Sequence, residues 1–264
     1  MIDLYAPLPL RPEQAASASD YRAIAFDRSD PRWHEPLVDL ATQRLCVEAW
    51  YARRDGGNMP YGRPIAGAVA TVYARSSVAR LLQKADAQVQ SLGLRIKTLD
   101  AWRPVETQQG LWDFFEAKIT RERPDLDRVG IEALVRTFVS DPRRFKTDDE
   151  TTWPIHSTGG SVDVVLIDAS SGAILDHGAE FDQADEVSFT DHYERLLAEG
   201  AIDGSDTRLT NRRILVNAMV NAGFTNYSYE FWHFDYGTQL HVLTLQRAGI
   251  ADAALKAWYG TTRP

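Results

Sequence analysis

A single cysteine, Cys46, stands among the 264 residues, so no disulfide can form within the chain. It lies in residues 40–47, a run of helical character, where a small apolar side chain is expected to pack and not to act as a nucleophile. No apolar run approaches the roughly 20 residues that a membrane-spanning helix needs. Residues 1–7 lack the basic patch and following apolar stretch of a signal peptide. These three absences predict a reducing, cytoplasmic setting. Basic residues are also in short supply: 29 Lys and Arg face 37 Asp and Glu, a net charge of -8. That balance excludes nucleic acid, whose binding rests on clustered cations that displace counterions. It does not exclude a small anion, because one buried arginine can set the sign of a pocket. Phosphate loop, dinucleotide fingerprint and Gly-x-Ser-x-Gly elbow are all missing, as are repeats and low-complexity tracts.

What remains is long enough to bury a substantial core, with the 44% hydrophobic content of an ordinary globular chain. Residues 1–35 show little periodicity and read as an arm laid on a domain formed by residues 36–264. Leu37, Leu40, Ala41, Leu45 and Ala49 have helical spacing, which predicts a helix over 36–54, ended by Asp55-Gly56-Gly57-Asn58. A second helix is predicted over 76–92, with Gly93 as its stop. Residues 94–99 alternate as a strand, and Pro104 is placed to open a helix running to about Lys118. A short helix is expected over 130–139. Residues 162–167 form an apolar strand that turns at 170–172 and pairs back through 173–175. Residues 207–222 should be helical, 224–234 an aromatic-rich strand, and 239–258 mostly helical. Helices first, then strands and hairpins, predict an α+β fold with an antiparallel sheet.

Two segments carry the chemistry. In the first, His156 and Asp163 flank Gly159-Gly160, and the small residues let the loop fold back so that both ends meet. Asp163 interrupts an apolar strand, where a carboxylate needs a partner or a metal. The bland reading is a turn leading into a strand. The second segment is Glu230-Phe231-Trp232-His233. Two histidines, an aspartate and a spare glutamate are the minimum kit of a hydrolytic zinc site. Strict alternation would send Glu230 and His233 to opposite faces, so a strand here must bulge or end between them. Arg103, in Asp100-Ala101-Trp102-Arg103-Pro104, is either a salt-bridge partner of Asp100 or a donor for an oxyanion.

These segments, in this order and with these gaps, resemble the zinc D-alanyl-D-alanine dipeptidases of the vancomycin-resistance type over most of residues 60–240. The resemblance implies a single-domain α+β zinc DD-peptidase fold of the Hedgehog/DD-peptidase-like kind, with a central antiparallel sheet and packed helices. It implies one Zn2+ held by His156, Asp163 and His233, with Glu230 as base and then acid, and Arg103 stabilising the transition state. It places Asp182, in Phe181-Asp182, at the substrate's amino group, and Asp100, Trp102 and Ser161 are expected to contact substrate with it. The implied substrates are D,D-dipeptides and the implied compartment is the bacterial cytoplasm. Two positions depart from the family pattern: Pro154 stands where serine is usual, and Ser161 where alanine is usual.

A zinc-stabilised binding module without turnover is the alternative from another class, but such a module needs neither Glu230 nor Arg103. A carboxypeptidase or amidase acting on cell-wall peptides is a third. His177, His192 and His241 are expected at the surface or one step behind the ligands, His192 most of all. Asp203-Gly204-Ser205-Asp206 reads as a turn and helix cap.

Overall fold

The computed structural model describes residues 3–11, 18–136, 139–183 and 185–264. Its strands are β1 (Leu37–Asp39), β2 (Cys46–Val47), β3 (Tyr73–Arg75), β4 (Leu94–Asp100), β5 (Ser161–Asp168), β6 (Thr225–Asn226) and β7 (His233–Asp235). Its helices are α1 (Ser76–Val89), α2 (Val105–Glu122), α3 (Arg128–Val135), α4 (His192–Ala198), α5 (Thr207–Ala222) and α6 (Gln239–Arg247). A five-stranded sheet runs β2-β4-β5-β7-β6, and β1 pairs with β3 in a separate ribbon. All its neighbours are antiparallel except β2 and β4, which run parallel. The expected α+β class with a central, chiefly antiparallel sheet is therefore what the chain adopts.

Helix α1 ends where glycine supplies a left-handed residue: Gly93 has φ 73 and closes a terminal 3-10 turn. Its apolar stripe of Val78, Leu82, Ala85 and Val89 is buried. Helix α5 begins at the Asp206 cap and matches its expected limits. Pro104 caps α2, which continues four residues past Lys118 to Glu122. Helix α3 ends at Val135, and residues 137–138 of the predicted 130–139 helix lie outside the described residues.

Three predicted elements are corrected. Residues 36–54 are not a helix. Asp39 accepts a hydrogen bond from the Ala41 N–H and opens one 3-10 turn, which Arg44 ends at φ 60, and a second 3-10 turn spans Trp50–Ala52. The flanking residues gain more from strand pairing: Leu37–Asp39 on β3 and Cys46–Val47 on β4. Residues 224–234 are not one strand, because β6 stops at Asn226 and β7 starts at His233. The C-terminal helix stops at Arg247, and Gly249 at φ 68 turns the chain away.

Described segments near both ends pack on the core. Leu4 and Leu8 are buried, and the Leu8 N–H donates to Glu194. Ala257 bridges Phe26. Arg75 is buried and its guanidinium donates to the carbonyls of Trp33, Glu35, Thr158 and Gly260. Four carbonyls from three distant segments thus share one cation. Among the described residues, no helix is long and apolar enough to cross a membrane.

Candidate metal centre

Antiparallel register assembles the centre. Asp163 on β5 lies opposite His233 on β7, and Ser161 lies opposite Asp235. Side chains alternate along a strand, so all four residues share one face. His156 reaches that face from the turn before β5. Gly159 makes this turn at φ 72, and a Cβ there would come within 2.5 Å of Leu37. A Cβ on Gly160 would lie 2.6 Å from the Tyr236 carbonyl. The glycines therefore permit both the turn and its close approach to β7. At the end of β4 the register slips between Thr98 and Asp100, which brings Asp100 opposite Asp163.

The segment between β6 and β7 departs from strand geometry as the shared-site argument requires. The Glu230 N–H donates to the Tyr227 carbonyl and the His233 N–H to the Glu230 carbonyl. The Asn226 amide donates to the Glu230 and His233 carbonyls, holding the loop closed. Phe231 turns inward, stacked on His177 at 5.1 Å, while Trp232 packs on Phe181. The turn leaves Glu230 and His233 on one side, with a carboxylate oxygen 3.9 Å from His233 Nδ1.

His156, Asp163 and His233 are buried, and one ligand atom from each lies within 4.8 Å of the others. Each imidazole has one nitrogen tied and one presented. His156 Nδ1 sits 2.8 Å from the Ala101 carbonyl, so it carries the proton and leaves Nε2 bare, 3.5 Å from Asp163. Burial, then the charge of Arg103, pushes the His156 imidazole down to about 3, keeping it neutral. His233 Nε2 lies 3.0 Å from Asp235, and its Nδ1 lies 3.0 Å from Asp163. Burial alone would favour a neutral His233, but Asp235 and Asp163 outweigh it and hold the ring cationic. A divalent cation would take over from that proton between His233 and Asp163. Two imidazole nitrogens and a carboxylate suit zinc in number and kind, with a position left for water.

Around this centre is a cavity of about 670 Å³, within the usual range for ligand pockets. Glu230, Arg103 and Asp182 all line it. Glu230 is raised to about 6, chiefly by burial. Arg103 donates to Asp100 at 2.9 Å, Gln108 at 3.1 Å, Tyr51 at 3.1 Å and Asp163 at 3.4 Å. It is both the salt-bridge partner of Asp100 and a cation facing the metal ligands. Asp182 adopts φ 60, unusual for a residue with a Cβ. The phenols of Tyr51 and Tyr61 both donate to its Oδ2, at 2.8 and 2.9 Å. Burial, then the nearby Asp163, raises its carboxyl to about 7.

Three residues expected to contact substrate do not line that cavity. The Ser161 hydroxyl is wholly buried and donates to Asp235 at 2.6 Å. The Trp102 indole turns away and donates to the Thr262 carbonyl. Asp100 stands behind the centre, against Arg103 and 3.4 Å from His156 Nδ1. None of the remaining histidines joins the centre, and two are far from the surface. His177 and His241 are buried at 2% and 4% exposure, whereas His192 opens α4 beside Tyr193. Their burial reflects aromatic neighbours distant in sequence: Phe231 for His177, Tyr236 and Trp258 for His241. Cys46 is half-buried in β2. Asp203 accepts from Ser205 and Asp206 caps α5, the expected turn and cap.

The residues overlooked in the sequence are Tyr51, Tyr61, Gln108 and Asp235. Only Asp235 left a local signal: it lies two residues past His233, on the same face of any strand that contains both.

Residues 42–251 match the peptidase M15 family, described as D-ala-D-ala dipeptidase. The chain is 28% identical over 156 residues to a D-alanyl-D-alanine dipeptidase of Synechocystis, covering 55% of this chain and 60% of that protein. It is 26% identical over 179 residues to one from Enterococcus faecalis (66% and 78% covered). With one from Escherichia coli it shares 29% identity over 202 residues (75% and 83% covered). Among solved structures, the vancomycin-resistance D,D-pentapeptidase VanY with Zn(II) overlaps 88% of this chain and 96% of its own. The identity there is 15% and the TM-score 0.40. The LD-carboxypeptidase LdcB gives 14% identity and a TM-score of 0.40, with 95% and 94% covered.

Proposed function

Because the chain belongs to the peptidase M15 D-Ala-D-Ala dipeptidase family, we propose that it is a zinc-dependent hydrolase of D-alanyl-D-alanine or related D-amino-acid dipeptides. In this reading residues 36–264 are its catalytic domain and residues 1–35 an arm, of which Leu4, Leu8 and Tyr21 are buried. One observation carries the reading: His156 Nε2, Asp163 and His233 Nδ1 converge on one point, and Glu230 and Arg103 border the same cavity. A non-catalytic module gives no reason for the last two.

Zn2+ bound by His156, Asp163 and His233 would acidify water and polarise the peptide carbonyl. Glu230 takes the proton of the attacking water and returns it to the leaving amine. The raised value suits it to both tasks, because a carboxylate near 6 takes the water's proton more readily than one near 4 and, once protonated, is still acidic enough to pass that proton to an amine. Arg103 faces the oxyanion with a charge that persists at any working pH. Asp182 meets the substrate's ammonium, with Tyr51 and Tyr61 fixing the carboxylate.

Purified protein is expected to hold one Zn2+ per chain, and His233→Ala to hold almost none. Equal zinc in the two proteins, measured by elemental analysis, would remove the assignment.

Pro154 lines the cavity at the position where the family pattern has serine, and it offers neither a hydroxyl nor a backbone donor. Tyr21, Phe189, Tyr227 and Tyr229 add aromatic wall that two methyl side chains leave unfilled. A polar group left unpaired in a closed site costs about 1–3 kcal/mol, enough to reorder similar substrates. Bulkier D,D-dipeptides are therefore expected to reach a kcat/KM within about tenfold of that for D-Ala-D-Ala. An exclusive preference for D-Ala-D-Ala across such a panel would refute this.

A further inference from the structure

The strand that supplies His233 supplies a second buried acid. Asp235 is 1% exposed, sits on β7 between β5 and β6 and lies outside the cavity lining. A carboxylate in such a place is costly unless its oxygens are fully engaged. They are. Oδ1 accepts from the Ser161 hydroxyl at 2.6 Å and from the Thr238 hydroxyl at 2.9 Å. Oδ2 lies 3.0 Å from His233 Nε2. The two hydroxyls come from different elements, β5 and the cap of α6, so the carboxylate is fixed from both sides before it meets the imidazole.

The pleat explains the arrangement. His233 and Asp235 are two apart on β7 and point the same way. In register, His233 faces Asp163 and Asp235 faces Ser161. The imidazole thus sits between two carboxylates, one at each ring nitrogen. Asp163 meets the nitrogen that faces the cavity, and Asp235 meets the one that faces the sheet.

We infer that Asp235, pinned by Ser161 and Thr238, is a positioning residue that holds His233 with Nε2–H inward and Nδ1 presented to the metal. The inference rests on the zinc centre proposed above and adds a part to it. Acceptors behind a ligating imidazole fix its tautomer, fix the plane of the ring and raise the basicity of the ligating nitrogen. His156 Nδ1 has the neutral Ala101 carbonyl at 2.8 Å, with the Asp100 carboxylate farther off at 3.4 Å and engaged by Arg103, so the two histidines are supported unequally. Losing the charged support should weaken the metal more than it weakens the fold.

The test uses the full-length protein, stripped of metal and titrated with Zn2+ against a chelating dye at fixed pH. Asp235→Asn keeps size and one acceptor but loses the charge, and Asp235→Ala loses both. Ser161→Ala removes one pin. Zinc affinity is expected to fall about tenfold in Asp235→Asn, about 10–100-fold in Asp235→Ala, and less but in the same direction in Ser161→Ala. The absorption spectrum of the Co2+-loaded protein is expected to shift in both Asp235 variants, since the ring reorients. Wild-type zinc affinity and an unchanged Co2+ spectrum in Asp235→Asn would overturn the inference, even if thermal stability fell. If His233→Ala bound zinc as tightly as wild type, the metal assignment itself would fail and carry this inference with it.

Discussion

Glu230→Gln is expected to lower kcat by roughly 10²–10⁴-fold, the usual scale of a lost general acid–base group, while zinc content stays at the wild-type level. The side chain is placed for this result. It lies 3.9 Å from His233 Nδ1, close to the ligand cluster, and its side chain keeps 37% exposure towards the cavity. Glutamine matches its size and can still accept a hydrogen bond, but it cannot take a proton. The three buried ligands remain, so metal should be retained. Zinc content and single-turnover rate measured on one preparation decide the matter. Loss of zinc with an unchanged rate per bound metal would make Glu230 a ligand and not a base.

Arg103→Lys is expected to lower kcat and kcat/KM together, by roughly 10²–10³-fold, the scale of one oxyanion donor removed. The guanidinium is held by Asp100, Gln108 and Tyr51, and its side chain is only 11% exposed. A lysine ammonium keeps the charge but has no planar fork to satisfy those partners and still reach a substrate oxygen. Steady-state kinetics with zinc-replete protein separate the roles. If KM alone rises, Arg103 anchors the substrate carboxylate and leaves the transition state untouched. Because Arg103 also touches Asp163 at 3.4 Å, zinc should be quantified for each variant.

Where local pattern and local chemistry agreed, the chain was legible. Gly93 marked the end of α1 because a left-handed residue was needed there, and Asp206 marked the start of α5 by capping it. Asp163 stood out within β5 because a carboxylate in a fully buried strand demands a reason. The requirement that Glu230 and His233 share a face correctly excluded a regular strand between them, although the aromatic residues suggested one. Those aromatics instead pack a tight loop, Phe231 on His177 and Trp232 on Phe181. Residues 36–54 misled because helical spacing of five apolar residues also suits two short strands and a turn. Pairing with β3 and β4 decides between them, and pairing is not a local property. Ser161 was misplaced for the same reason. As a departure from the family pattern it looked like a change in the pocket, but β5–β7 register turns it to Asp235, behind the metal ligand.

Arg75 has a consequence for the last residues of the chain. Its guanidinium holds the Gly260 and Thr158 carbonyls together. Nearby, the Thr262 N–H donates to the Ser157 carbonyl, and the Trp102 indole donates to the Thr262 carbonyl. The tail is therefore stitched to both segments that flank His156: the turn that carries it and the strand end that carries Arg103. A tag added after Pro264 extends an exposed end. A deletion of five residues from the same end unpicks the seam beneath a metal ligand, so lengthening and shortening the protein there are unequal interventions.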